Sequence, residues 1–322
     1  QEGQPVSAVT EETGLVSRSP LQLSILRFRR NWAGMAALIS SVVLILLAFG
    51  APVVCAVVGS GAETTHKELI GELGRPKGFF GGMSWDHPLG LEPFLGRDLL
   101  ARLLYGARLS FTVATVTTIF SIGLGLLFGI LSGYLRGKVD TVIGRAIDFL
   151  LAFPAFFMLL ALSEPVVQRI EGTGIAYGNG ARVLFLIVFM ALFGWMGMAR
   201  LIRSQVLSLR EADFVMAAEA TGASRMRVVL KELLPNLWSP VIVVLSLSLP
   251  GYLTSESVLS FLGVGVQPPA STWGLLLADS LQYFTSIPSY FVMPALMLIV
   301  VVLSFNLLGD ALRDALDPKA GR

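Results

Sequence analysis

Six apolar runs divide the chain: Trp32 to about Val58, Phe111 to Leu131, Ala146 to Leu162, Arg182 to Met198, Leu237 to about Leu262, and Tyr290 to Leu308. Each meets the roughly 17–25 residues that a helix needs to cross a bilayer, the fifth only if its interruption is included. Pro154 predicts a kink in the third run. Pro250-Gly251 interrupts the fifth, and such a break is tolerated only where protein or a water-filled cavity satisfies the freed backbone groups. Gly125, Gly129 and Gly133 form a small-residue ladder in the second run, a surface that lets another helix come close. Polar stretches at 59–108, 163–181 and 263–289 separate the runs. The pattern predicts an all-α integral membrane protein with six transmembrane helices. The polar first 20 residues are expected to be flexible.

One polar interval is patterned. Between the fourth and fifth runs lies Glu211 to Asn236, EADFVMAAEATGASRMRVVLKELLPN. Met226, Val229, Leu230, Leu233 and Leu234 recur at the spacing of one helix face. Ser224 is placed to cap that helix, and Pro235 ends it or starts the next element. Upstream, Phe214, Ala217, Ala218 and Thr221 form a weaker stripe of mostly small residues. Gly222 stands between the two, where the chain has to turn sharply and a side chain would cost most. The interval predicts a helix–Gly–helix unit with an apolar face that requires a partner.

Composition agrees with a membrane protein: 54% of residues are hydrophobic and 14% charged, against about 25% charged in soluble domains. The net charge of +2 is too small to imply nucleic acid as a partner. A single cysteine, Cys55, excludes an intrachain disulfide framework, and two histidines, His66 and His87, argue against a metal site. Val53-Val54-Cys55 has the look of a lipoprotein cleavage site, but the apolar run continues past the cysteine. Six spans place both termini on one side. That side, which includes 135–146 and 200–236, holds sixteen Lys and Arg; the other holds eight. The contrast lies in the short loops and puts both termini and the 211–236 unit in the cytoplasm. The predicted layout is a cytoplasmic segment 1–31, a first transmembrane helix with external loop over 32–108, a core of five helices over 109–310, and a cytoplasmic tail 311–322. In that core, 211–236 and an external loop at 256–289 connect spans.

No phosphate-binding loop of the G-x-x-x-x-G-K-[ST] type occurs, and GELGRPKG at 71–78 has the wrong spacing. If ATP drives this protein, another chain hydrolyses it. No Ser/His/Asp or paired-carboxylate constellation suggests an enzyme. The spans are nearly free of ionisable residues, which argues against an ion-coupled secondary transporter or a channel. Asp148 sits at an edge, and Glu256 falls past the Pro250-Gly251 interruption. A carboxylate there is costly unless it faces water or a partner, so a pathway or gate role stands beside a structural hydrogen-bonding one.

The order Ala217-Ala218, Gly222-Ala223 and Leu234-Pro235 resembles the EAA loop of ABC-importer permeases, with Met216 in place of the usual Glu. His87-Pro88-Leu89-Gly90, Gly96-Arg97-Asp98 and Tyr105-Gly106-Ala107-Arg108-Leu109-Ser110 are similar to the HPLG, GRD and YGARxS signature of the dipeptide/oligopeptide/nickel permeases. Leu91-Glu92 replaces the usual Thr-Asp, and one extra residue separates Gly90 from Gly96. Glu256, Leu259 to Gly265 (including Ser260, Phe261 and Gly263), Gln267-Pro268-Pro269 and Thr272-Trp273-Gly274 look like the family's external loop. Phe305 to Asp310 and Arg313 to Pro318 look like its C-terminal end. The resemblance covers roughly 25–318.

The resemblance implies a permease subunit of an ATP-driven importer in a bacterial or archaeal cytoplasmic membrane. Ala217, Ala218, Gly222, Ala223, Leu234 and Pro235 would couple it to ATPases. Glu256, Ser260, Phe261 and Gly263 are the candidate pathway or gate residues, and His87, Gly90, Gly96, Arg97 and Asp98 the external motif. The implied partners are a homologous second permease, two ABC ATPase subunits, an external substrate-binding protein and membrane lipids. The chain would carry no cofactor or metal itself, with ATP and Mg on the ATPases. The cargo is left open among di- and oligopeptides, nickel chelates, glutathione and sugars, with peptides the commonest in the family.

Overall fold

The computed structural model describes residues 20–78 and 80–316. The polar segment before Pro20 and the Asp317-Pro318 pair lie outside the described residues. An amphipathic helix, α1 (Pro20–Arg30), leads into α2 (Trp32–Phe49), capped by Asn31, whose side chain accepts from the Gly34 N–H at 3.0 Å. The first apolar run is two helices rather than one. Gly50 separates α2 from α3 (Ala51–Val58), which carries a proline in its first turn and ends on Gly59 at φ +77°.

Next come α4 (Leu99–Leu135), α5 (Gly137–Leu151), α6 (Ala155–Thr173) and α7 (Asn179–Leu209). The loop between the fourth and fifth apolar runs holds α8 (Asp213–Ala220), α9 (Arg225–Arg227), a π-helical turn over Val228–Leu233, and α10 (Leu234–Asn236). The chain finishes with α11 (Trp238–Phe261), the short α12 (Trp273–Ser280) and α13 (Pro288–Leu316). Among the described residues, five helices, α2, α4, α7, α11 and α13, are long and apolar enough to cross a membrane, and the α5–α6 pair is a further candidate if counted as one span.

Two expectations about proline are corrected. The third run does not kink at Pro154; it breaks there, with α5 and α6 meeting at 81° and Pro154 at the N-terminus of α6. Proline has no N–H and disfavours helix in the residue before it, and together these end α5 outright. The fifth run shows the reverse. Its helix passes through Pro250-Gly251 unbroken. Pro250 is buried, and the Thr254 and Ser255 hydroxyls donate to the Pro250 and Gly251 carbonyls at 2.8 and 2.9 Å. Packed neighbours of this kind let a proline stay inside a membrane helix.

The glycine ladder sets the central contact. A Cβ at Gly125, Gly129 or Gly133 would stand 2.5, 2.7 or 2.8 Å from the Cβ of Met198, Ile202 or Val206. The partners advance in step along both helices, so α4 and α7 run parallel. Tyr252 of α11 bonds Ser121 of α4 at 2.6 Å, while Glu256 bonds Ser110, so α11 runs antiparallel to α4. One core cluster joins α2, α4, α11, α12 and α13 around Phe111, Trp273 and Phe305. A second joins α4 and α7 to the 211–236 loop. Gly129→Leu is expected to force α4 from α7 at a cost of about 1–3 kcal/mol. A lowered thermal midpoint in detergent checks this, with Gly123→Leu as control, because an added Cβ at Gly123 meets nothing within 4 Å.

Candidate functional site

The 211–236 loop is seated, not loose. Where α7 ends, Arg210 donates to the Tyr134 carbonyl at 2.8 Å and its guanidinium lies 5.6 Å over the Tyr134 ring. The Tyr134 hydroxyl in turn donates to Glu219 of α8 at 3.0 Å. On α8, Val215 is fully buried in the cluster of Ile130, Tyr134, Ile202 and Val206. Asp140 of α5 accepts two bonds from Arg203 of α7, at 2.6 and 2.7 Å, which fixes the neighbouring helix ends.

Gly222 lies at φ +82°. Its N–H donates to the Glu219 carbonyl, and the Ala223 N–H to the Ala218 carbonyl, both at 3.0 Å. This is the Schellman arrangement that closes a helix, and it normally brings the residue after the left-handed position against one near the helix end. Here those two are Ala223 and Ala218, both packed on the second core cluster. The small residues therefore have separate jobs: Ala218 and Ala223 face inward around the turn. Ala217 is exposed, in company with Phe214, Met216 and Thr221.

Ser224 starts the second helix, as its position predicts, by accepting from the Arg227 N–H at 3.4 Å. The apolar stripe read at ordinary helical spacing is then split. Leu233 is fully buried, but so are Val228 and Leu237, whereas Met226 and Leu230 are exposed. The cause is the π turn. The Leu234 N–H donates to Val229, five residues back, so Val228 and Leu233 fall on one side. Pro235 follows at once. Its ring conflicts with the carbonyl four residues earlier in a regular helix, and the wider turn avoids that conflict. Leu234 is half-buried against the same cluster, and Pro235 is exposed.

The external motif forms a clasp at the start of α4. Asp98 caps the helix through the Ala101 N–H at 2.8 Å and holds His87 Nδ1 at 2.8 Å. Arg97 makes two bonds to Glu92, the residue standing where the family usually has Asp, and the Tyr290 hydroxyl donates to the same carboxylate at 3.1 Å. Arg102, also buried, donates to the Pro269 carbonyl at 3.0 Å. Burial, together with the Glu92 carboxylate, pushes the nearby Asp279 carboxyl up. A Cβ at Gly96 would meet the His66 carbonyl at 2.6 Å, and one at Gly90 the Gly81 carbonyl at 2.5 Å. The five motif residues thus tie the 59–98 loop to α4, and through Glu92 to α13.

Glu256 is fully buried inside α11. It accepts from Ser110 of α4 at 2.6 Å and from Ser260 at 2.7 Å. Ser260 also accepts from the Val266 N–H at 3.3 Å. Gly263 turns the chain at φ +79°, and Phe261 is partly exposed at the end of α11. The adjoining loop is held by Asn179, which exchanges two bonds with the Gln267 backbone, both at 2.8 Å. Val215 and Val228, which anchor the loop, are not marked by the sequence pattern, nor are Tyr134 and Arg210. Ser110 was visible only as the last residue of the YGARLS block.

The family of binding-protein-dependent transport system inner membrane components matches residues 125–322. The oligopeptide transport system permease protein of Bacillus subtilis is 31% identical over 98% of this chain and 96% of its own length. The dipeptide transport system permease protein of Alkalihalophilus pseudofirmus is 35% identical, over 94% of this chain and 90% of its own length. Among solved structures, the inward-facing MetNI methionine ABC transporter has a chain that matches with a TM-score of 0.52 at 21% identity, covering 67% of this chain and 96% of that one, and so shares the fold. The chain is a multi-pass membrane protein of the ABC-importer permease class, a transport subunit and not an enzyme. It belongs to the binding-protein-dependent transport system inner membrane component family.

Proposed function

We propose that this chain is one of two homologous permeases in an ATP-driven importer of di- and oligopeptides. Two ATPase subunits, which carry the ATP and Mg, dock on the 211–236 loop, and an external binding protein delivers the peptide. The carrying observation is the seating of that loop: Val215, Val228 and Leu233 are locked into the α4–α7 core, while Phe214, Met216, Ala217 and Thr221 stay exposed. The names of the two relatives support peptides as the cargo.

Two observations support six spans with cytoplasmic termini. Because α4 and α7 run parallel, the chain between them has to return across the membrane, and the α5–α6 pair is the segment available to do so. The Lys and Arg excess then supports a cytoplasmic loop. In the proposed mechanism, closure of the ATPase dimer moves the loop and the α4–α7 core as one body and swings the path from inward- to outward-facing. Switching such a gate from 1:99 to 99:1 takes a difference of about 5.5 kcal/mol between states, which a packed element can transmit. At the outer end, Glu256 latches α11 to α4 through Ser110, Ser260 steadies its carboxylate from within α11, and Phe261 and Gly263 lie at the edge of the latch.

Purification of the chain from its native membrane should bring down two ATPase chains and a sister permease. The reconstituted complex with its binding protein should take up labelled peptides in an ATP-dependent way. Recovery of a lone homo-oligomer would refute the assembly, and uptake of nickel chelates or sugars without peptides would refute the cargo.

A further inference from the structure

Met226 and Leu230 do not close on the loop's own core. With Val229 and Leu234 they form one wall of a groove of about 450 Å³, whose other wall is α4 from Gly123 to Leu135. Aliphatic side chains line it almost throughout, and Leu127, Met226 and Leu230 are 52, 67 and 53% exposed. At one end the character changes. A second pocket, of about 340 Å³, shares Tyr134, Leu135 and Arg225 with the groove and adds Arg210, Glu219 and Ala223. Glu219 is engaged by the Tyr134 hydroxyl. Among the described residues neither Arg210 nor Arg225 makes an ion pair. An apolar channel along a membrane helix therefore opens into a mouth that holds two guanidinium groups against one carboxylate, Glu219, at the point where that helix ends.

We propose that this is a phospholipid site. One acyl chain lies between α4 and the Met226–Leu230 wall, and an anionic headgroup sits on Arg225 and Arg210. The depth profile fits a lipid: hydrocarbon contacts run along the span, and the charges stand at its end, where a headgroup would be. Basic pockets of this kind favour anionic over zwitterionic lipids. A helix of the sister permease would fill the apolar part but has no need of the basic mouth. The site rests on α4 being a span and not on the docking of ATPases.

The intact complex, purified in mild detergent and stripped of lipid, is titrated with phosphatidylglycerol or phosphatidylcholine of identical acyl chains and read by native mass spectrometry. Phosphatidylglycerol should be retained in preference. Arg225→Gln should cut that preference about fivefold, as loss of one basic side chain at the membrane surface does. Leu127→Trp, which fills the groove, should lower retention of both lipids. Equal retention of the two lipids by the native complex, or an unchanged preference in Arg225→Gln, overturns the proposal. So does cross-linking of a Leu230→Cys variant to the sister permease in the membrane. Failure of the docking role would instead show as missing ATPase chains, with the lipid adducts on the permease still present.

Discussion

Gly222→Val is expected to give a protein that folds and inserts but no longer converts ATP hydrolysis into uptake. The expectation comes from backbone conformation and not from space. An added Cβ at Gly222 meets nothing within 4 Å, yet the residue lies at φ +82°. A β-branched residue held there costs about 1–3 kcal/mol. The exposed loop has an inexpensive escape in opening the turn between Glu219 and Ala223, which leaves the spans untouched. Ala218 and Ala223 would then lose their contact across the turn, and the angle between α8 and the second helix would change. Uptake by proteoliposomes should fall by about tenfold or more, as a shift of only about 1.4 kcal/mol already implies. ATPase chains should co-purify poorly, or hydrolyse ATP without uptake. Gly222→Asn should retain far more activity, because asparagine tolerates the left-handed region. Normal uptake in the valine variant would sink the coupling role of this loop.

The second large effect is expected at Glu256. Its carboxylate accepts from Ser110 and Ser260 in a fully buried site. Glu256→Ala deprives both hydroxyls of their acceptor, and each buried group so orphaned costs about 1–3 kcal/mol. The loss falls on the contact between α4 and α11 at Ser110, far from the 211–236 loop proposed to dock ATPases. Assembly should therefore survive while uptake drops about tenfold or more. Glu256→Gln keeps one acceptor oxygen and should lie between. The measurement is uptake by reconstituted complexes normalised to co-purified ATPase. Unchanged uptake in Glu256→Ala would remove this residue from the transport cycle, and loss of the complex itself would reduce it to a folding role.

Apolar run length located five candidate spans, because crossing a bilayer sets a minimum that sequence displays directly, while the third run straddles the break between α5 and α6. It could not place the helix ends. Both α4, from Leu99, and α7, to Leu209, extend past the runs seen in sequence, since a helix continues into polar surroundings wherever caps and partners support it. Proline was legible as a perturbation but not in its sign. Pro154 ends a helix and Pro250 lies inside one, and the difference lies in the packing around the buried Pro250. Within the loop, Gly222 and Ser224 were readable from local chemistry alone. The inward orientation of Ala218 and Ala223, and the burial of Val228, depended on tertiary contacts and on a turn that departs from the 3.6-residue period.

That turn makes the loop a counted object. A π turn holds one residue more than the same stretch of α-helix, and here the surplus residue brings Val228 and Leu233 into phase and clears the way for Pro235. Removing any one residue between Val229 and Glu232 would restore ordinary winding, keep Val228 and Leu233 on one face, and drive the Pro235 ring against the carbonyl four residues before it. Surface connections ordinarily accept changes of length at little cost. This one has no such latitude, so a chain that keeps this turn and its proline has to conserve the number of residues between Ser224 and Leu237 even where it exchanges their identities.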